Sequence, residues 1–239
     1  GVVIEGENLD LLIGSVPLAD EEKDAVKANM LKLLEEKYHM TEDDFLSAEL
    51  EIVPVGKARD LGFDRSMILA YGQDDRICAF TSLMAILEME ETPKRTSCCI
   101  LVDKEEIGSY GASGMQSRFF ENATAEVLQL CGYTSDISLR RCLQDSKMLS
   151  SDVSAAYDPL YADVFEKKNS AFFGKGLVFN KYTGSGGKGS SSDANAEYMA
   201  QIRKVMDDAG VMFQTAELGK VDAGGGGTIA WIMANYGME

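Results

Sequence analysis

Between Thr96 and Gly114 the chain reads Thr-Ser-Cys-Cys-Ile-Leu-Val-Asp-Lys-Glu-Glu-Ile-Gly-Ser-Tyr-Gly-Ala-Ser-Gly. A short apolar run gives way to two adjacent acids, Glu105 and Glu106, and then to a loop punctuated by Gly108, Gly111 and Gly114. The run has the length of a buried strand, and the glycines mark a turn. Acids are therefore expected at a strand end. In an open α/β sheet the loops beyond the carboxyl ends of the strands are where ligands and chemistry collect. Whether other acids reach the same edge decides what such a chain can do.

Two other stretches repeat the arrangement. The apolar run Ser66 to Tyr71 leads into Gly72-Gln73-Asp74-Asp75-Arg76, followed by Ile77, Phe80, Leu83, Met84 and Leu87 at helical spacing. Lys147 to Ser151 is a shorter strand candidate that ends in Asp152. Helical patterns are expected from about Met115 to Leu130, stopped by Gly132, from Asp136 to Gln144, and from the Asp193 cap to Asp208. Strands are expected over Leu177–Tyr182 and Val211–Thr215, and a last helix ends near Tyr236. Strands alternating with helices predict an α/β fold with a mixed, mostly parallel sheet and helices on both faces.

The region before this differs. Asp20 offers an N-cap to an amphipathic helix carrying Val26, Met30, Leu33 and Leu34, and Thr41 with Asp44 resembles a capping box. Ala48 to Ile52 alternates like a half-buried strand, and the charged connection Gly56 to Arg65 follows. The change from an alternating to a continuously apolar strand sets the expected domain boundary.

With 39 acids against 23 bases the net charge is −16, which repels nucleic acid and acidic membranes over most of the surface. No apolar run approaches the roughly 18 residues of a membrane span. The five cysteines, Cys78, Cys98, Cys99, Cys131 and Cys142, show no framework spacing and read as reduced core residues of a cytoplasmic protein. His39, in Lys-Tyr-His-Met-Thr, reads as a solvated loop residue.

A parallel arrangement brings Asp74, Glu105, Glu106 and Asp152 to one sheet edge, where unpaired carboxylates repel and call for a cation. Carboxylate oxygens suit Zn²⁺, Mn²⁺, Co²⁺ or Mg²⁺, and a spare carboxylate beside such ions can deprotonate an attacking water. Metal-dependent hydrolysis is the reading that follows. An acidic pair alone is usually a solvated loop in so acidic a chain, but placement at three strand ends argues against that here. The run Gly224 to Gly227 before the last helix offers backbone amides to an anion, or else a tight turn under a helix; it has neither P-loop nor dinucleotide spacing.

Several segments together resemble the aminopeptidase I and aspartyl aminopeptidase family of dinuclear metallo-aminopeptidases, in its bacterial form and over essentially the whole chain. They include Gly6-Glu-Asn-Leu-Asp-Leu-Leu-Ile-Gly14, Gly72 to Leu87, Leu101-Val-Asp-Lys-Glu-Glu-Ile-Gly-Ser109, Gly114-Met-Gln-Ser-Arg-Phe-Phe-Glu-Asn122, Leu149-Ser-Ser-Asp-Val-Ser-Ala-Ala156, Gly176-Leu-Val-Phe-Asn-Lys-Tyr-Thr183 and Glu217 to Ile229. The resemblance implies that Asp74 bridges two metal ions, Glu106 binds one, Asp152 binds the other, and Glu105 is the general base. It implies two divalent ions in the complete enzyme, zinc first with cobalt or manganese as alternatives. Peptides are the implied substrates, cleaved at their N-terminal residue. It also implies that Gly225, Gly226 and Gly227 line the substrate cleft, and that dimers build larger homo-oligomers, often dodecamers.

The family's metal site also contains two histidines that have no counterpart here. The expectation is therefore a fragment: residues 1–63 as the C-terminal part of an inserted lid or dimerisation domain, and residues 64–239 as a zinc-peptidase-like core incomplete at its C-terminus. Such a chain is expected to hold one metal or none and to be poorly active or inactive alone. The alternatives are a non-catalytic assembly fragment of such an enzyme, or a metal-dependent hydrolase of non-peptide substrates. Lys181, Lys188 and Lys220 lie in or near the loops that would meet an acidic side chain, but they read first as solvated lysines.

Overall fold

The structure, a computed structural model, describes residues 4–180, 194–220 and 228–239. It separates into two compact units, Gly1–Gly56 and Lys57–Glu239.

In the first unit the apolar spacing becomes helix α1, Ala25–Tyr38. It begins after Asp24 rather than at Asp20; both acids have positive φ, which a right-handed helix cannot continue. Exposed His39 closes it at φ 58°, its N–H still donating to the Glu35 carbonyl at 2.9 Å. Thr41 then caps the 3₁₀ turn Glu42–Leu46, its N–H and hydroxyl both donating to Asp44 Oδ2, at 2.6 and 3.0 Å. The strand expected from Ala48 to Ile52 does not form, and Leu50 and Ile52 stand exposed. Alternation favours a strand only where a neighbouring strand meets its N–H and C=O groups.

The second unit opens with strands β1, Arg59–Leu61, and β2, Met67–Leu69, paired antiparallel with Arg59 opposite Leu69. Gly62 at φ 92° starts the turn between them, the Arg65 N–H donates to its carbonyl at 3.1 Å, and Arg65 pairs with Asp60. The run Ser66 to Tyr71 was expected as a strand buried on both faces. It is shorter, antiparallel and exposed, because so brief a connection permits only antiparallel pairing.

Helix α2, Gln73–Leu87, follows, and then α3, Phe119–Leu130, and α4, Asp136–Gln144, which pack together. Gly132 ends α3 at φ 88°, where bonds from its N–H to Gln129 and from the Tyr133 N–H to Leu128 satisfy the last carbonyls. Strands β3, Leu177–Asn180, and β4, Phe213–Ala216, run parallel, with α5, Ala196–Asp208, as the crossover that parallel strands require. Gln214 locks the start of this pair, exchanging 3.0 Å bonds with the backbone of Phe172 in both directions.

Neither Thr96–Asp103 nor Lys147–Ser151 forms a strand. Each is held by side-chain packing and single bonds instead. Ile100 and Val102 pack on a core of Met115, Ile232 and Met233, the latter two from helix α6, Ala230–Ala234. Met148 donates to the Glu239 carbonyl at 2.6 Å, Glu239 donates back to Ser146 at 3.3 Å, and Lys147 pairs with the Glu239 carboxylate at 2.8 Å. The described residues thus hold one antiparallel and one parallel strand pair. No described helix is long and apolar enough to cross a membrane.

Candidate metal centre

Asp74 and Asp75 sit in the first turn of α2. Gly72, at φ 72°, turns the chain out of β2, and the Gln73 side chain donates to the Ile68 carbonyl at 2.9 Å, fastening the helix start to that strand. Asp74 (φ −84°, ψ 109°) and Asp75 (φ −114°, ψ 17°) depart from helical geometry, and the peptide between them is cis. Asp152 follows the Lys147–Ser151 segment, and its Oδ1 accepts from the Val153 N–H at 2.7 Å. One carboxylate oxygen from each of Asp74, Asp75 and Asp152 lies within 4.8 Å of the other two.

Glu105 and Glu106 open the 3₁₀ turn Glu105–Ile107, in a loop that braces itself. Lys104 and Gly108 flank the turn in left-handed conformations, and the N–H of buried Ser109 donates to the Lys104 carbonyl at 2.7 Å. Asp103 accepts from the Lys104 N–H at 2.8 Å and from the Ser113 hydroxyl at 3.1 Å, while the Gln116 amide donates to the Gly108 carbonyl at 2.6 Å. Gly114 makes this closure possible, since a Cβ there would sit 2.2 Å from the Ser109 carbonyl oxygen.

The two acid groups meet electrostatically. Glu105, half-buried, is held above the ordinary carboxyl range first by partial desolvation and then by the charges of Asp152, Glu106, Asp74 and Asp75. Asp152 is raised by desolvation and by Asp74, Asp75 and Glu106, against the lowering effect of the Val153 bond. Asp75 is raised by desolvation, and by Asp74, against a lowering bond with Cys78. The Cys78 thiol, three residues along the helix from Asp75, is pushed up to about 12 by desolvation first, then by its bond to Asp75 and by the surrounding acids.

The upward shifts of Glu105, Asp152 and Asp75 come from desolvation and from neighbouring acids, which a bound cation would offset. Oxygens bound at about 2.0–2.2 Å around one zinc ion fall within such a spacing, so the donor set fits a divalent cation. Asp75 is the acid that sequence reasoning did not place there. The resemblance gave a role only to Asp74 of the pair; the non-helical turn at Asp74 and Asp75 brings both. Gly225, Gly226 and Gly227, with Lys181 and Lys188, lie outside the described residues. Thr228, the next residue after the glycines, bonds its hydroxyl to that of Ser150 at 2.6 Å, and Lys220 is exposed.

The family model described as aminopeptidase I zinc metalloprotease (M18) matches residues 4–239. The chain belongs to the M18 family. A probable M18 family aminopeptidase 1 from Clostridium acetobutylicum is 63% identical over 238 residues, covering 99% of this chain and 51% of the relative. The crystal structure of aminopeptidase I from the same organism superimposes with a TM-score of 0.87 at 62% identity, over 99% of this chain and 51% of that one. The M18 aminopeptidase structure from Thermotoga maritima gives 0.92 at 47% identity, over 99% and 52%. A dodecamer structure of S. cerevisiae mApe1 shares the fold with a TM-score of 0.57 at 19% identity, over 77% and 40%. This M18 chain spans about half the length of the curated relatives it matches.

Proposed function

We propose that this chain supplies the carboxylate side of a dinuclear zinc centre in an M18 aminopeptidase, with Asp74 bridging the two ions, Glu106 binding one, Asp152 the other, and Glu105 serving as general base. The observation that carries this reading is the convergence of the Asp74, Asp75 and Asp152 carboxylates within 4.8 Å, with Glu105 in their field. Bound zinc would polarise the carbonyl of the first peptide bond and acidify the attacking water. Glu105 takes the proton from that water and delivers it to the departing amine.

The same reading makes Gly225, Gly226 and Gly227 part of the substrate cleft and peptides the substrates, in a cytoplasmic protein. Residues 1–63 belong to the lid or dimerisation domain and 64–239 to the core with its mostly parallel sheet; the division at Gly56 and Lys57 falls at the start of the same charged connection. The same reading includes homo-oligomers built from dimers; a relative that shares the fold is a dodecamer. Among the described residues the cluster offers oxygen donors alone, and the two histidines of the family's metal site have no counterpart in this sequence, so on this reading the chain by itself has little or no activity. Zinc content and release of the N-terminal residue from short peptides, measured for this chain and for an M18-length polypeptide containing it, test the proposal. A zinc-independent activity in the longer polypeptide overturns it.

A further inference from the structure

Asp152 follows a segment without strand partners among the described residues, so single bonds and packing fix where its carboxylate stands. Along that segment exposed and partly buried residues alternate. Met148 packs on the core of Met115, Ile232 and Met233, Leu149 is exposed, Ser150 is partly buried and Ser151 is exposed. At the start of the segment the Met148 N–H donates to the Glu239 carbonyl at 2.6 Å. Two residues before Asp152, the Ser150 hydroxyl meets the Thr228 hydroxyl at 2.6 Å, across 78 positions of sequence. The Val153 N–H then donates to Asp152 Oδ1 at 2.7 Å. That last bond ties the carboxylate to its own backbone, so the carboxylate is placed only as well as the backbone is.

Thr228 is itself anchored. Its hydroxyl oxygen accepts from the Ala230 N–H at 3.2 Å, at the start of α6, and Ile232 and Met233 of that helix are buried with Met115. Ile100 and Val102, which lead towards the Glu105–Ile107 turn, pack on the same three residues. One short helix therefore touches both acid-bearing segments, one by packing and the other also through a pair of hydroxyls. Apolar packing is non-directional, whereas a 2.6 Å bond between hydroxyls fixes distance and direction. Burial alone does not call for these groups: valine and alanine would fill nearly the same space without the cost of desolvating a hydroxyl.

We infer that Ser150 and Thr228 are positioning residues for Asp152, their hydroxyl pair holding the backbone that aims its carboxylate at the metal. Neither is assigned as a metal ligand or as a catalytic residue. The inference rests on the zinc reading of Asp152 and deepens it.

The test uses an M18-length polypeptide containing this chain. It measures zinc affinity by competition with a chelating indicator, and amide hydrogen exchange of the metal-free protein. Thr228→Val and Ser150→Ala each weaken zinc binding about tenfold or more, the range for groups that orient a metal ligand. Both also speed exchange at Val153 and leave exchange in α3 and α4 as it was. Thr228→Ser, which keeps the hydroxyl, binds zinc like the parent. The double variant Ser150→Ala with Thr228→Val binds no more weakly than the weaker single variant, because the same bond is lost in all three. Unchanged zinc affinity in both single variants overturns the inference. So do losses that multiply in the double variant, or a loss that Thr228→Ser shares. Should Thr228→Val fail to fold, Ser150→Ala decides by the same two readouts. Asp74→Asn separates the two possible failures. If it abolishes zinc binding while the hydroxyl variants leave it intact, the positioning role alone has failed. If it leaves zinc affinity unchanged, the zinc reading has failed, and exchange at Val153 decides whether the hydroxyl pair holds the Asp152 backbone.

Discussion

A carboxylate oxygen of Asp74 lies within 4.8 Å of one from Asp152, although Asp74 opens a helix and Asp152 follows a segment tied to the chain's last residue. Two anions at that separation, with Asp75 beside them, oppose the packing that brings them together. A bound cation reverses the sign of that interaction.

Zinc is therefore expected to stabilise the folded chain. A ligand that binds only the folded state at about one hundred times its Kd adds about 2.7 kcal/mol. Thermal unfolding with and without added zinc should show an upward shift in Tm that EDTA removes. Asp74→Asn should abolish the shift while leaving the metal-free Tm unchanged or higher. An equal zinc shift in the variant would place the ion elsewhere.

The contribution of this acid cluster to the stability of the metal-free chain should fall as pH rises. Glu105, Asp152 and Asp75 all have raised carboxyl pKa values in the folded state, so there they bind more protons than in the unfolded chain. Stability from these groups is greatest where they are protonated and is lost between the ordinary carboxyl range and their raised values. Urea midpoints for Asp152→Asn should exceed those of the parent at neutral pH and match them at about pH 3, where all are protonated. Added zinc should invert the neutral-pH difference.

The positions of the acids were legible in the sequence because each follows an apolar run and precedes a turn, a local pattern. The helices were legible for the same reason: α3 stops before Gly132, though it starts at Phe119 rather than Met115, and α4 spans Asp136–Gln144 with Ser135 rather than Asp136 as its N-cap. The strands were legible in part: Leu177–Tyr182 and Val211–Thr215 were expected and β3 and β4 lie there, while others did not form. Thr96–Asp103 and Lys147–Ser151 have strand composition, yet a strand exists only when a second strand satisfies its backbone, and none beside them is described. Asp75 was hidden by a backbone departure from the helix that no residue pattern announces.

Gly114 should tolerate no side chain. A Cβ there would meet the Ser109 carbonyl oxygen at 2.2 Å and its carbon at 2.6 Å, both backbone atoms of the loop that carries Glu105. Gly114→Ala should cost about 1–3 kcal/mol in urea unfolding, the range for overpacking a tight site. Gly132→Ala, with open space around its Cβ, probes only the cost of positive φ and should cost less.

The Cys78 thiol should resist alkylation. With its pKa pushed up to about 12, almost none of it is thiolate at pH 8, whereas Cys98 and Cys131 are exposed. Iodoacetamide labelling followed by peptide mapping should modify Cys98 and Cys131 well before Cys78. Asp75→Asn should speed labelling at Cys78, because it removes both the charge and the charged acceptor that hold the proton on sulfur. An unchanged rate would mean that desolvation alone protects the thiol.

The division of labour between Glu105 and Glu106 has its own signature in an M18-length polypeptide. Glutamine keeps the size and hydrogen-bonding reach of glutamate but cannot accept a proton. Glu105→Gln should therefore lower kcat by about 10²–10⁴, the range for loss of a positioned general base, while zinc content and KM stay close to those of the parent. Glu106→Gln should instead lower zinc content, and excess zinc should restore part of its activity, because a weakened ligand is recovered by mass action and a missing base is not. The pH profile separates the two further. The acidic limb of kcat/KM reports the base in the free enzyme, so it should disappear in Glu105→Gln and persist in Glu106→Gln assayed at saturating zinc. If Glu105→Gln instead loses zinc and recovers with excess metal, the roles of the two glutamates are exchanged.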